Sequence, residues 1–198
     1  MPHRLHLPQA NAVLDYWIET VGPAGWYSGG EELDSDIRAR FLDMWDSARI
    51  GRLNSWLSSP GGSLAFLILT DQFPRNMFRG EARAFATDPI ARKAAAKAVQ
   101  HEWDLRIPEP QRQFFYMPFM HAETNADQDR SVRLLLTRMP ETGADNLLHA
   151  RAHREVIRRF GRFPYRNDAL GRHTTAAEAA YLEAGGYGST VAALQAAA

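Results

Sequence analysis

Two short stretches combine residue types that could grip an anion. They are Asp71-Gln-Phe-Pro-Arg-Asn-Met-Phe-Arg-Gly80 and Phe160-Gly-Arg-Phe-Pro-Tyr-Arg-Asn-Asp-Ala-Leu-Gly-Arg172. Each reads Phe-Pro, then Arg-Asn, then a second arginine beside a glycine. A planar guanidinium next to a carboxamide suits a carboxylate or phosphate, because the fork donates two parallel hydrogen bonds. The same groups suit loop carbonyls and acidic side chains of the protein itself. The segment 151–172 carries seven arginines against Glu155 and Asp168. Arg158, Arg159 and Arg162 fall near the end of a predicted helix, where cations complement the dipole. Arg166, Asn167 and Arg172 lie in the turn beyond and lack that explanation. In the first stretch the built-in acid, Asp71, suggests internal pairing with Arg75 or Arg79. A buried pair of that kind adds little net stability but is costly to break. The chain is expected to bring the two turns together with a few acids and histidines.

His121-Ala-Glu123 follows a strongly apolar run, so its side chains emerge where a core ends. A histidine and a carboxylate two residues apart are candidates for general acid–base work, and weaker candidates for metal ligation. His149 and His153, four apart on a predicted helix, share a face, a spacing that two metal ligands use. No glutamate of the metalloprotease type lies between them, and no third ligand is set by spacing. No metal and no cofactor is therefore expected. No serine or threonine occupies a nucleophile elbow, and no glycine-rich phosphate loop precedes a helix.

Composition narrows the function classes. The absence of cysteine excludes disulfides, thiolate catalysis and Cys-ligated metals. Zero formal charge and a pI near 7.1 argue against a nucleic-acid or anionic-membrane partner. Lys93 and Lys97 are the only lysines; the arginine excess fits either GC-rich codon usage or a need for bidentate groups. The N-terminus has no apolar core of a signal peptide, and the longest apolar run, Leu64–Leu69, is too short to span a bilayer. A cytoplasmic protein is expected, with its oligomeric state open. Five tryptophans and 45% apolar residues supply a packed interior. At 198 residues the chain is read as a single domain, 1–198, with 1–7 and 187–198 prone to fray.

The elements that would position these residues are helices. Val13, Leu14, Trp17, Ile18 and Val21 mark a first helix ended by Gly22-Pro23; Trp26 and Tyr27 should fold back onto the core. Ile37, Phe41, Met44, Trp45 and Ala48 mark a second, capped by Asp34 or Ser35 and stopped near Gly51. Ser59-Pro-Gly-Gly-Ser63 reads as a break. Leu64–Leu69 reads as a helix apolar on all sides, since no strand is available to pair with it. Pro74 should push Phe73 out of the α region. Thr87-Asp88-Pro89 opens another helix, running to about Trp103. Val132, Leu135, Leu136 and Met139 mark the next, closed by Pro140. Leu148, Ala152, Val156 and Phe160 mark one ending at Gly161, and Thr175-Ala-Ala-Glu178 is a capping box. The expectation is an all-α fold of about seven or eight helices, with no strand signal and no fixed repeat period.

Three long motifs, Leu69–Gly80, Phe115–Glu123 and Ile157–Asn167, resemble the bacterial family named domain of unknown function 924. The likeness extends from the Asp15-Tyr-Trp helix to the segment ending at Glu178. It implies an antiparallel, right-handed helical array similar to tetratricopeptide proteins, and no established activity. The characteristic polar residues that it marks are Asp71, Gln72, Arg75, Asn76, Arg79, His121, Glu123, His153, Arg162, Arg166, Asn167 and Arg172. His149 lies outside that set. Ala122 stands where the family tends to have serine, and Tyr165 where it tends to have histidine; the tyrosine hydroxyl could replace a lost donor. Two readings stay open. In one, Asp71, Arg75, Asn76, Arg79, Arg162, Arg166, Asn167 and Arg172 line a pocket for a small anionic ligand, with His121, Glu123 or His153 available for acid–base chemistry. In the other, the motifs lock the packing of a scaffold that binds a peptide or protein.

Overall fold

The computed structural model describes residues 7–197. The expectation for residues 1–6 and 198 therefore lies outside the described residues. The remainder is helical, and no strand occurs among the described residues. No helix there is long and apolar enough to cross a membrane. Contacts gather the described chain into two units: residues 7–79 with 83–118, and residues 80–82 with 119–197.

In the N-terminal unit, helix α1 (Pro8–Leu14) winds on through a wider, π-helical stretch, Asp15–Val21. It breaks at Gly22, whose φ of 65° a side chain would resist. Trp26 folds back as expected, donating its indole N–H to the Trp17 carbonyl at 2.8 Å. Tyr27 does not: it stays 57% exposed and hydrogen-bonds Gln113 by its hydroxyl. Helix α2 (Glu31–Arg49) buries Ile37, Phe41, Trp45 and Ala48, the spacing expected of its apolar face. It starts earlier than the capping residues suggest. Gly30 is the N-cap, and Glu31, Glu32 and Asp34 occupy a first turn where the dipole favours acids. Asp34 is left to do something else.

The Ser-Pro-Gly-Gly-Ser segment is the start of a helix rather than a break. The Ser59 hydroxyl accepts from the Gly62 amide at 3.2 Å and Pro60 sits in the first turn of α3 (Pro60–Leu67). Gly62 is required there, because a Cβ would lie 2.2 Å from the Trp56 carbonyl oxygen. Residues 64–69 are buried on every side, as an all-round apolar helix must be. α3 packs against α1 and against α5 (Asp88–Gln100), whose Ala91, Ala94, Ala95 and Ala98 form a smooth buried face.

Phe73 is a correction. Pro74 neither ends the helix nor displaces Phe73, which keeps α geometry at φ −58° and ψ −37°. The chain instead widens into a π-helical stretch, Ile68–Gln72, before continuing as α4 (Phe73–Met77). A proline has no N–H for the carbonyl four residues back and its ring crowds that carbonyl. The carbonyl concerned is that of Thr70, and it accepts the Thr87 hydroxyl at 2.6 Å. The next carbonyl, on Asp71, accepts the Arg75 guanidinium at 2.7 Å. Thr87 consequently does not cap α5 with its side chain; its oxygen also accepts the Trp45 indole N–H at 3.1 Å.

In the C-terminal unit, Thr124 caps α6 (Asn125–Arg138), and a short loop leads into α7 (Ala144–Phe160). α7 packs against α6 and against the helix formed by Gly186–Ala196. It ends at Gly161 in the left-handed region, φ 70°. Helix α8 (Ala176–Glu183) carries the expected capping box. The segment read as prone to fray forms helix α9 (Gly186–Ala196) instead. Tyr187 anchors it, joining the apolar group of Val156, Ile157, Phe163 and Tyr181.

Candidate functional site

The residues marked in the sequence fall into a set in each unit. In the N-terminal unit, Arg75 forks onto Asp88, with contacts of 3.1 Å to both carboxylate oxygens, and lies 3.7 Å from the buried Asp71 carboxylate. The expected Asp71 partnership is thus secondary. The Asp71 carboxylate accepts the Gln72 amide at 2.5 Å. Asp34 receives Asn76 at 2.8 Å and the Arg79 fork at 2.8 and 3.0 Å. Burial alone would raise the Asp34 pKa, but the hydrogen bonds from Arg79 and Asn76 win and hold it below the ordinary value. Gly30, Asp34, Arg38, Asn76 and Arg79 line a cleft of about 560 Å³.

The second stretch builds a continuous polar chain in the C-terminal unit. Glu123 accepts the Phe163 amide at 2.8 Å and the Arg172 fork at 2.7 and 3.1 Å. Arg172 also donates to the Asn167 side-chain carbonyl at 3.0 Å and the Phe163 carbonyl at 2.9 Å. The Asn167 amide reaches Glu178 at 3.4 Å, and Arg162 forks onto the same carboxylate at 2.6 and 2.8 Å. Glu178 therefore serves its capping box and two side chains at once. Arg162, the Thr175 amide and the Thr175 hydroxyl outweigh burial and lower its pKa to about 2. Glu123 is also lowered: burial opposes ionisation, but Arg172 and the Phe163 amide, with the charges of Arg172 and Arg166, prevail.

The histidines assemble nearby in the same unit. The His121 and His153 rings sit 6.3 Å apart, edge to face, and His153 packs edge-on against Phe163 at 5.3 Å. Gln128 fixes the turn that carries His121 by donating to the Met120 and Ala122 carbonyls at 2.6 and 2.8 Å. His153 Nδ1 lies 2.8 Å from the His149 carbonyl. A carbonyl only accepts, so Nδ1 carries the proton and Nε2 the lone pair. Burial first, then the charges of His121, Arg166 and His149, drive the His153 pKa down to about 3, against the pull of the His149 carbonyl. The ring is neutral at pH 7. Arg166, 5% exposed, lies over the Phe163 ring at 4.4 Å. The Tyr187 hydroxyl hydrogen-bonds His149 Nδ1 at 2.6 Å and stands 3.2 Å from His153 Nδ1.

Four participants were not marked in the sequence. The sequence presents Asp34 as a cap and Glu178 only as half of a capping box. It presents Asp88 as a helix opening and places Tyr187 in a segment prone to fray. The signal for the acids was present, since each guanidinium turn needs a carboxylate; the partner's position is a tertiary fact.

The family model described as a bacterial protein of unknown function (DUF924) matches residues 13–186. The chain belongs to that family. It is also similar to a solved structure titled "Structure of Protein of Unknown Function ATU0120 from Agrobacterium tumefaciens", at 41% identity and a TM-score of 0.83. That likeness covers 89% of this chain and 97% of the other. A comparison with curated proteins finds no match. The polar residues that mark the DUF924 resemblance thus sort by geometry. Arg75, Asn76 and Arg79 hold acids of the N-terminal unit, and Glu123, Arg162, Asn167 and Arg172 form one network in the C-terminal unit. His121, His153 and Arg166 gather beside it, and Tyr165 stands 44% exposed at 5.3 Å from Phe163.

Proposed function

We propose that the C-terminal unit of this DUF924 protein binds a small anionic ligand at the His121–His153 cluster. The observation that carries the reading is the state of His153. Its Nδ1 is committed to the His149 carbonyl, its Nε2 makes no hydrogen bond to the described protein, and the ring stays neutral beside Arg166. A neutral imidazole in a positively charged setting accepts a ligand O–H or N–H without adding or cancelling charge. The Arg166 guanidinium would attract the ligand's carboxylate or phosphate, and Tyr165 and Tyr187 would border it. Glu123, gripped by Arg172 and the Phe163 amide, orients the turn rather than exchanging protons.

The test is a thermal-shift panel of phosphorylated and carboxylated metabolites on the whole chain. A specific ligand at about one hundred times its Kd should stabilise by about 2.7 kcal/mol. His153→Asn keeps a donor for the His149 carbonyl but removes Nε2, and it should abolish the shift, as should Arg166→Gln. Arg79→Gln should leave it intact. A panel without any shift, or a shift that survives His153→Asn, defeats the reading.

A second reading is favoured by the engagement of Arg75, Arg79, Arg162 and Arg172 with protein carboxylates. In it the motifs serve packing alone and a tetratricopeptide-like array presents a surface to a peptide. It predicts that variants of these arginines lose stability while a partner's affinity per folded molecule is unchanged.

A further inference from the structure

The N-terminal unit holds a second cleft, of about 430 Å³, that shares no residue with the histidine cluster. Its volume falls within the roughly 300–1,000 Å³ usual for small-molecule sites. The apolar lining comes from four elements. Ala48 lies at the end of α2 and Leu57 in the 3₁₀ turn Asn54–Ser58; Phe66 belongs to α3, and Ile90 and Ala94 belong to α5. Phe66, Ala48 and Ala94 are almost fully buried, so this lining is fixed by the core beneath it. The polar lining is Arg49, Asn54, Lys93 and Lys97, and no acidic side chain lines the cleft.

That charge pattern stands out in a chain with equal numbers of acids and bases. Lys93 and Lys97 are the only lysines in the sequence, one turn apart on α5, and both line this cleft. The Lys97 ammonium is steadied by the Leu57 carbonyl at 3.3 Å and keeps further N–H donors. Asp46 partners Arg49 at 3.3 Å from outside the lining and tempers that one cation. Among the described residues, neither ammonium has such an acid.

We infer that this cleft binds an organic carboxylate with an apolar body. The aliphatic or aromatic part would lie against Phe66, Leu57, Ile90 and Ala94, and the carboxylate would be held by Lys93 and Lys97, with Asn54 and Arg49 at its edge. Lysine suits the head group because its flexible stem lies along apolar surface while the ammonium stays wet.

Two lysines make the test direct. Protein labelled with ¹³C at the lysine ε-carbon gives one signal from each, and both should move saturably on titration with octanoate. Octanol lacks the charge and acetate lacks the body, so each should bind on the order of tenfold or more weakly than octanoate. The variant Lys93→Gln/Lys97→Gln should weaken octanoate by a similar factor in calorimetry, and both changes lie on exposed positions of α5. Unmoved lysine signals would overturn the inference. So would octanol or acetate matching octanoate, or full octanoate affinity in the double variant.

Discussion

A histidine kept neutral by its surroundings leaves a mark on stability. For His153 the native pKa, about 3, lies below the ordinary 6.5. Between those values the unfolded chain binds a proton that the native chain refuses, so stability rises with pH across that window. The slope is at most about 1.4 kcal/mol per pH unit. Urea unfolding at pH 7 and pH 5 should therefore show a loss on acidification that is smaller in His153→Asn by up to about 2 kcal/mol. Equal losses in both proteins would mean that the ring titrates normally. Gly62 makes a different demand at the same scale. Gly62→Ala places a methyl within 2.2 Å of the Trp56 carbonyl oxygen, backbone that cannot rotate away, and should cost about 2 kcal/mol or more by thermal melting.

At the scale of elements, one buried hydroxyl can tie helices together. The Thr87 hydroxyl serves the Thr70 carbonyl and the Trp45 indole together. Thr87→Val keeps the shape and strands both, and a cost of about 2–4 kcal/mol in chemical denaturation is expected. Thr87→Ser should recover most of it. The same scale shows what could be read in advance. Apolar spacing found α2, α6 and α7, because burying one stripe is a local demand with a local signature. The Thr175–Glu178 capping box was legible for the same reason. The π-helical stretch before Pro74 was not, since relieving a proline by widening the turn depends on a hydroxyl seventeen residues away. Asp34, Asp88 and Glu178 as arginine partners were illegible too. A guanidinium announces that it needs a carboxylate, but contacts between helices decide which.

At the scale of the whole molecule, the polar motifs should make the protein acid-sensitive. Glu178, Glu123 and Asp34 all have native pKa values below the ordinary carboxylate range. A depressed carboxylate stabilises the fold above its unfolded pKa and loses that contribution as pH falls through the native one. For Glu178 the loss runs from about 4.5 down to about 2. Acid unfolding followed by circular dichroism should fall in this window, and Glu178→Gln should be less stable at pH 7 yet lose less between pH 4.5 and pH 2. An unchanged acid profile would show that the Arg162–Glu178–Asn167 network contributes little. The histidine loss runs from pH 6.5 down to about 3 and overlaps that window below 4.5, so the two contributions are separated by comparing His153→Asn with Glu178→Gln.

The widened turn at Ile68–Gln72 has a consequence for counting along the chain. An α-helix turns each residue by about 100°, and a π turn accommodates one residue more than an α turn does. Deleting a single residue from 68–72 would restore regular winding with Phe73 and Met77, both fully buried, still facing the core. It would also return the Thr70 carbonyl to the helix interior and leave the Thr87 hydroxyl of the incoming α5 without its seat. The extra residue is therefore a spacer: its removal should be felt by the partner helix before it is felt by the helix that contains it.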